Sequence, residues 1–143
     1  MKLRFLLLAA AIGSSAGCCT LLGEIPGIFY DVHLRDAPPP TVCLAFAQEL
    51  VTDLQLQIAQ TFPFSKHNCN VDLGSGKHEV VGISSDPQNR RLGISVQTFG
   101  FGGAVVPTSA TRDLASRVLT VTQKYFPGAA VTESHPCRGP FAP

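Results

Sequence analysis

An amphipathic segment directly after three prolines constrains this chain more than any other feature. Pro38, Pro39 and Pro40 cannot lie inside a helix but suit the approach to one, and Thr41 can cap a helix that begins there. From Thr41 to Gln60, apolar residues recur at three- and four-residue spacing, which places them on one face of an α-helix. The sequence therefore predicts a helix over Thr41–Gln60 whose apolar face must pack on another layer.

Four other segments have the features of β-strands. Phe29–Leu34 and Leu92–Phe99 alternate between the two faces of a strand. His78–Ser85 precedes Leu92–Phe99, and the turn residues Asp86–Asn89 between them predict a β-hairpin. Ala129–His135 is the predicted last strand.

A second helix is predicted after the glycine-rich break at Gly100–Gly103. Thr108 or Ser109 can cap this helix, its apolar stripe extends to Phe126, and Pro127-Gly128 stops it. The polar stretch Phe64–Lys77 predicts a long loop.

The resulting order is strand, helix, strand, strand, helix, strand within one small α+β domain covering Phe29–Pro143. This is the split βαβ plan of ferredoxin-like folds, an antiparallel sheet with both helices on one face.

Charge excludes one class of partner. The chain has 143 residues, a formal net charge of +1 and only 15% charged residues. A nucleic-acid-binding domain needs clustered Lys and Arg along one face, so we predict no nucleic-acid partner.

The N-terminus has the layout of a secretory signal peptide. Lys2 and Arg4 form a cationic region, Phe5–Ile12 is an unbroken apolar run, and small residues occupy Gly13–Gly17. The apolar run is much shorter than the roughly 20 residues of a membrane-spanning helix.

Ser15-Ala16-Gly17-Cys18 resembles the lipobox of bacterial lipoproteins. The resemblance implies a signal peptide at residues 1–17, lipidation of Cys18, and a lipidated N-terminus and tether at residues 18–28. Cys19 stands where an aspartate would retain such proteins at the inner membrane, so the resemblance implies the outer membrane, facing the periplasm. The alternative is cleavage after Ala16, which gives a freely secreted protein.

With Cys18 lipidated, the remaining cysteines form an even set in an oxidising compartment. The predicted topology places Cys69 and Cys137 at one end of the sheet and Cys43 at the other. We therefore predict a Cys69–Cys137 disulfide, although the long loop could instead carry Cys69 to Cys43.

Two His-x-Cys pairs, His67 with Cys69 and His135 with Cys137, offer an alternative metal site. Two histidines and two thiolates suit tetrahedral zinc, or copper in its thiolate-accepting state. Because an oxidising compartment favours a disulfide between these cysteines, we predict no cofactor.

Phe99 and Phe101 bracket a glycine in a predicted loop. Such rings usually fold back over a small core, and this is the interpretation that we favour. If they project, they are candidate anchors for a hydrophobic or protein partner.

Catalytic patterns are weak. The serines near Asp86 and Asp113 lack a histidine at any informative spacing. The sequence therefore favours a lipid-anchored envelope protein with a binding or accessory domain over an enzyme, with the membrane and an envelope protein as its expected partners.

Overall fold

The computed structural model describes residues 26–61 and 69–134, which form an α+β domain with a seven-stranded antiparallel sheet and two helices. The elements run along the chain as β1 (Ile28–His33), α1 (Pro40–Leu54), β2 (Gln57–Thr61), β3 (Asn70–Gly74), β4 (Glu79–Asp86), β5 (Arg91–Gly100), β6 (Gly103–Val105), α2 (Ser109–Tyr125) and β7 (Ala130–Ser134).

The sheet has the strand order β2-β3-β4-β5-β1-β7, and the short strand β6 pairs with the end of β5. Every pairing is antiparallel. The central strands β4 and β5 are in register from Glu79↔Thr98 to Asp86↔Arg91. Both helices pack against the sheet and against each other.

Strand alternation produces the core. On β5, Leu92, Ile94, Val96 and Thr98 are buried, while the residues between them are half-buried on the other face. The same period holds on β4 and β1, so one face of the sheet meets the helices. The outer face has small residues at its centre, where a Cβ on Gly82 would lie 2.6 Å from Ser95 Oγ.

Local signals explain both helix starts. Pro40 occupies the first turn of α1, where its missing N–H costs nothing. Thr108 caps α2 through a capping box, in which its hydroxyl accepts from the Thr111 N–H and the Thr111 hydroxyl accepts from the Thr108 N–H.

The first helix is shorter than predicted. It ends at Leu54, not at Gln60, because Gln55 adopts a left-handed conformation with φ 55°. Residues 57–61 instead form β2 and pair with β3.

The predicted loop Phe64–Lys77 also contains a strand. Val71 and Leu73 of β3 are buried on the core side, and the strand pairs with β4. The predicted six-element order therefore lacked β2, β3 and the short β6, whereas its other strands and both helices are present.

The predicted Cys69–Cys137 disulfide is wrong in this structure, because Cys69 is bonded to Cys43 with a Cα–Cα distance of 6.3 Å. The physical reason is β3, which crosses the sheet antiparallel to β4. Its first residues therefore lie at the end of the sheet that holds Cys43, where Cys69 is hydrogen-bonded to Ser85. Ser134, three residues before Cys137, lies at the opposite end beside Phe29. Cys137 itself lies outside the described residues.

The expected signal peptide and the lipidation site Cys18 also lie outside the described residues, as does most of the tether. Neither α1 nor α2 has the length and apolar character needed to cross a bilayer.

Candidate functional site

The candidate site is the β5–β6 hairpin, which extends past one end of the sheet. Strand β5 continues beyond Val96, the residue that pairs with Ile28 at the start of β1, and turns back at Phe101 and Gly102. The two strands pair from Thr98↔Val105 to Gly100↔Gly103. Gly102 has φ 97°, a conformation that glycine adopts readily, so the tight turn is encoded locally.

Apolar side chains cover this hairpin. Phe101 is fully exposed at 112% of its reference surface, Val106 is 74% exposed, and Phe99 and Val105 are about two-fifths exposed at 41% and 37%. The interpretation that we favoured for Phe99 and Phe101, folding back over the core, is therefore wrong. Both rings therefore remain candidate anchors for a hydrophobic or protein partner.

Buried threonines hold the base of the hairpin against α2. Thr98 is 7% exposed, and its hydroxyl hydrogen-bonds the fully buried Thr111 hydroxyl. Thr111 also bonds Thr108, the cap of α2. On the other side, the Phe99 N–H donates to the His78 carbonyl over 2.8 Å. The exposed tip therefore stands on a base that is fixed to the domain.

The hairpin and the residues next to it in the sequence have no charged side chains. No Asp, Glu, Lys or Arg occurs between Arg91 and Arg112, and no residue from Phe99 to Pro107 has a polar side chain. Burying the tip would therefore remove no charged or hydrogen-bonding side chain from water.

Both chain exits lie at this same end. The Gln97 side-chain amide donates to the Pro26 carbonyl over 3.0 Å, which fixes the start of the described chain beside β5. Ser134, the last residue of β7, pairs with Phe29 at the start of β1. We call this end, with the β5–β6 hairpin and both exits, the hairpin end.

A cavity of about 380 Å³ opens nearby, between the end of α1, the first turns of α2 and the β3–β4 loop. Lys77 and Arg117 line it together with Glu79 and Asp113. The Ser75 hydroxyl donates to Glu79 over 2.8 Å and lowers the pKa of that carboxyl, so Glu79 is ionised at neutral pH. Two cations and two acids give the cavity no clear preference for either sign of ligand.

The predicted metal ligands do not form a site in the described part of the chain. Cys69 is in a disulfide and so has no thiolate to offer, while His67, His135 and Cys137 lie outside the described residues. Within residues 26–61 and 69–134, no group of three or more potential metal ligands comes together.

Sequence reasoning identified Phe99 and Phe101 but missed Val105 and Val106. The missed signal was the uncharged stretch that continues to Thr111, because a hairpin over these residues pairs Val105 with Thr98 and brings the chain back along β5. Comparison with protein-family models and with curated proteins finds no match for this chain.

Proposed function

We propose that this protein is a lipid-anchored protein of the cell envelope whose small α+β domain is a binding or accessory module, with the β5–β6 hairpin as its contact element. One observation carries the second half of this proposal: four exposed apolar side chains share an uncharged hairpin whose tip, Phe101, is fully exposed.

Four exposed apolar side chains on and directly after one short uncharged hairpin favour a binding role. Single exposed apolar residues are normal on protein surfaces, whereas contiguous apolar patches mark interaction sites. Aromatic anchors also supply much of the energy at such contacts. Phe101 adds nothing to the packing of the core, because its ring is fully exposed.

The anchor rests on the N-terminal sequence. A cationic region, an apolar run and Ser15-Ala16-Gly17-Cys18 succeed one another as in bacterial lipoproteins. Lipidation of Cys18 and the Cys19 beside it favour the outer membrane, with the domain facing the periplasm.

For the domain, we propose a ferredoxin-like plan extended at one edge. The order β4-β5-β1-β7, with α1 and α2 as the two connecting helices, supports the split βαβ arrangement. The β2–β3 pair then adds two strands beyond β4. A fold of this kind hosts many functions, so the function is argued from the hairpin and not from the fold.

Intact mass of the mature protein tests the anchor. We expect a chain beginning at Cys18 with acyl groups added. An unmodified chain beginning at Gly17 would overturn the anchor and favour the secreted alternative.

Site-specific photo-crosslinking in cells tests the contact element. A photoreactive residue in place of Phe101 should give adducts, whereas the same residue in place of Gln88 should not. Gln88 is the matched control because it is exposed in the β4–β5 turn at the other end of the sheet. Equal labelling at both positions would refute the proposal that the hairpin is the contact element.

A further inference from the structure

We infer that the partner of the β5–β6 hairpin is the lipid bilayer itself, and that Phe99 and Phe101 insert into the surface of the membrane to which the chain is anchored, with Val105, opposite Thr98, and Val106 at the level of the hairpin base. This inference rests on the proposed function and names the partner of the same site.

The chemistry of the hairpin fits a bilayer better than a protein. Protein interfaces surround their apolar centre with hydrogen bonds and a polar rim. From Phe99 to Pro107 the chain has no side chain that can donate or accept a hydrogen bond. At the headgroup boundary apolar side chains need no polar partner, and the β5–β6 ladder pairs Thr98–Gly100 with Gly103–Val105.

The dimensions also agree. Thr98 is buried at the base and Phe101 lies three residues further along the chain, so at about 3.3 Å per residue the tip projects about 10 Å. Interfacial amphipathic helices bury their apolar face about 5–10 Å into the headgroup and acyl boundary, which gives the depth that an inserted apolar segment has to reach. The hairpin therefore reaches this boundary while the sheet stays in water.

The chain exit brings the hairpin to the membrane. Cys18 and Pro26 are eight residues apart, and an extended chain of this length spans at most about 28 Å. Because Gln97 binds the Pro26 carbonyl, the tether meets the domain beside the base of the hairpin. A lipid on Cys18 would thus hold the hairpin end, and not the opposite end, close to the bilayer.

Charge does not set the lipid preference. Near the base of the hairpin, the exposed cations Lys77 and Arg112 alternate with the acids Glu79 and Asp113. We therefore expect insertion into neutral phosphatidylcholine as well as into anionic phosphatidylglycerol, with little dependence on salt.

The absence of tryptophan from the sequence allows a direct test. Phe101→Trp adds a single indole at the tip, and the acylated protein is reconstituted into phosphatidylcholine vesicles with or without brominated acyl chains. We expect a blue-shifted emission, protection from acrylamide, and quenching by the brominated lipid that is several-fold stronger than in the control. The control is Gln88→Trp on the same anchored protein, which should report an indole in water.

Other outcomes overturn the inference. If Phe101→Trp is as accessible to acrylamide as Gln88→Trp and brominated lipid does not quench it, the hairpin is not in the bilayer. If the indole of Phe101→Trp is shielded from acrylamide in the absence of vesicles, and the shielding increases with protein concentration, the partner of the hairpin is a second copy of the chain.

The proposed function can fail separately. If acylation is present and Phe101 crosslinks to a protein in cells while brominated lipid has no effect, the binding role stands and the bilayer is wrong. If intact mass shows no acylation, the anchor is wrong, and the unacylated Phe101→Trp protein added to the same vesicles still decides insertion.

Discussion

Removing the disulfide between Cys43 and Cys69 should destabilise the domain strongly. The bond joins α1 to the start of β3 across 26 residues. In the chain-entropy description, closing a loop of this length lowers the entropy of the unfolded chain, which is worth about 3.5 kcal/mol at 25 °C. Small domains are stable by only about 5–15 kcal/mol. We therefore expect Cys43→Ala with Cys69→Ala to lose a large share of the free energy of unfolding.

The assay is urea unfolding of the purified protein, monitored by circular dichroism. Replacing both cysteines leaves no lone buried thiol, and Cys137→Ala is the matched control, with expected stability close to that of the parent. Peptide mapping without reductant should recover Cys43 linked to Cys69. An unchanged urea midpoint in the double variant, or an equal loss in Cys137→Ala, would refute the pairing and the position of β3 that depends on it.

Two further predictions concern titrating and buried polar groups. Hydrogen bonds from Asn89 and Arg91 lower the pKa of Asp86, whereas burial raises the pKa of Asp72. The ionised Asp86 side chain therefore stabilises the folded state at any pH above its unfolded pKa, near 4, and this contribution is lost as the pH falls through its lower folded pKa. Asp72 has the opposite effect, because its ionised form lowers the free energy of unfolding at neutral pH. The assay is thermal unfolding of each variant between about pH 7 and about pH 3. At neutral pH, Asp86→Asn should be less stable than the parent and Asp72→Asn more stable, and both differences in stability should become smaller as the pH is lowered. A shift of the same sign in both variants would contradict this. Thr111→Val leaves the Thr98 hydroxyl without its partner and breaks the capping box, so chemical denaturation should show a loss of about 2 kcal/mol. The exposed Thr120→Val is its control, and an equal effect in the two would refute the role of the buried threonines.

Elements with strong local signals were predictable from the sequence. The second helix begins after Thr108, one of its two predicted caps, and the alternation of Leu92–Phe99 matches the buried and half-buried pattern of β5. In both cases the residues that define the element are neighbours in sequence, so the pattern contains the information.

Elements decided by distant pairing were not predictable. In β3, Asn70, Asp72 and Gly74 favour loops, and pairing with β2 and β4 makes the segment a strand. Leu54 and Ile58 fit helical spacing, yet the chain turns at Gln55 and pairs with β3. Single-sequence periodicity cannot detect such tertiary effects.

The missing strand also explains the error in the disulfide. Without β3, Cys69 was placed at the end of the sheet that holds Ser134, which suggested the Cys69–Cys137 pairing. Phe99 and Phe101 were identified because their composition is local, but their exposure depends on β5 extending past β1, which only the assembled sheet determines.

The two ends of the sheet therefore differ in kind. At one end, the Cys43–Cys69 disulfide joins α1 to the start of β3, and the Arg91 ion pairs with Asp31 and Asp86 join β5 to β1 and β4. The other end has the uncharged hairpin and both chain exits. A contact element works best on a rigid support, because ordering it on binding then costs little entropy. Cross-links at one end and exposed apolar side chains at the other suit a domain that docks through its hairpin end while the rest stays in water.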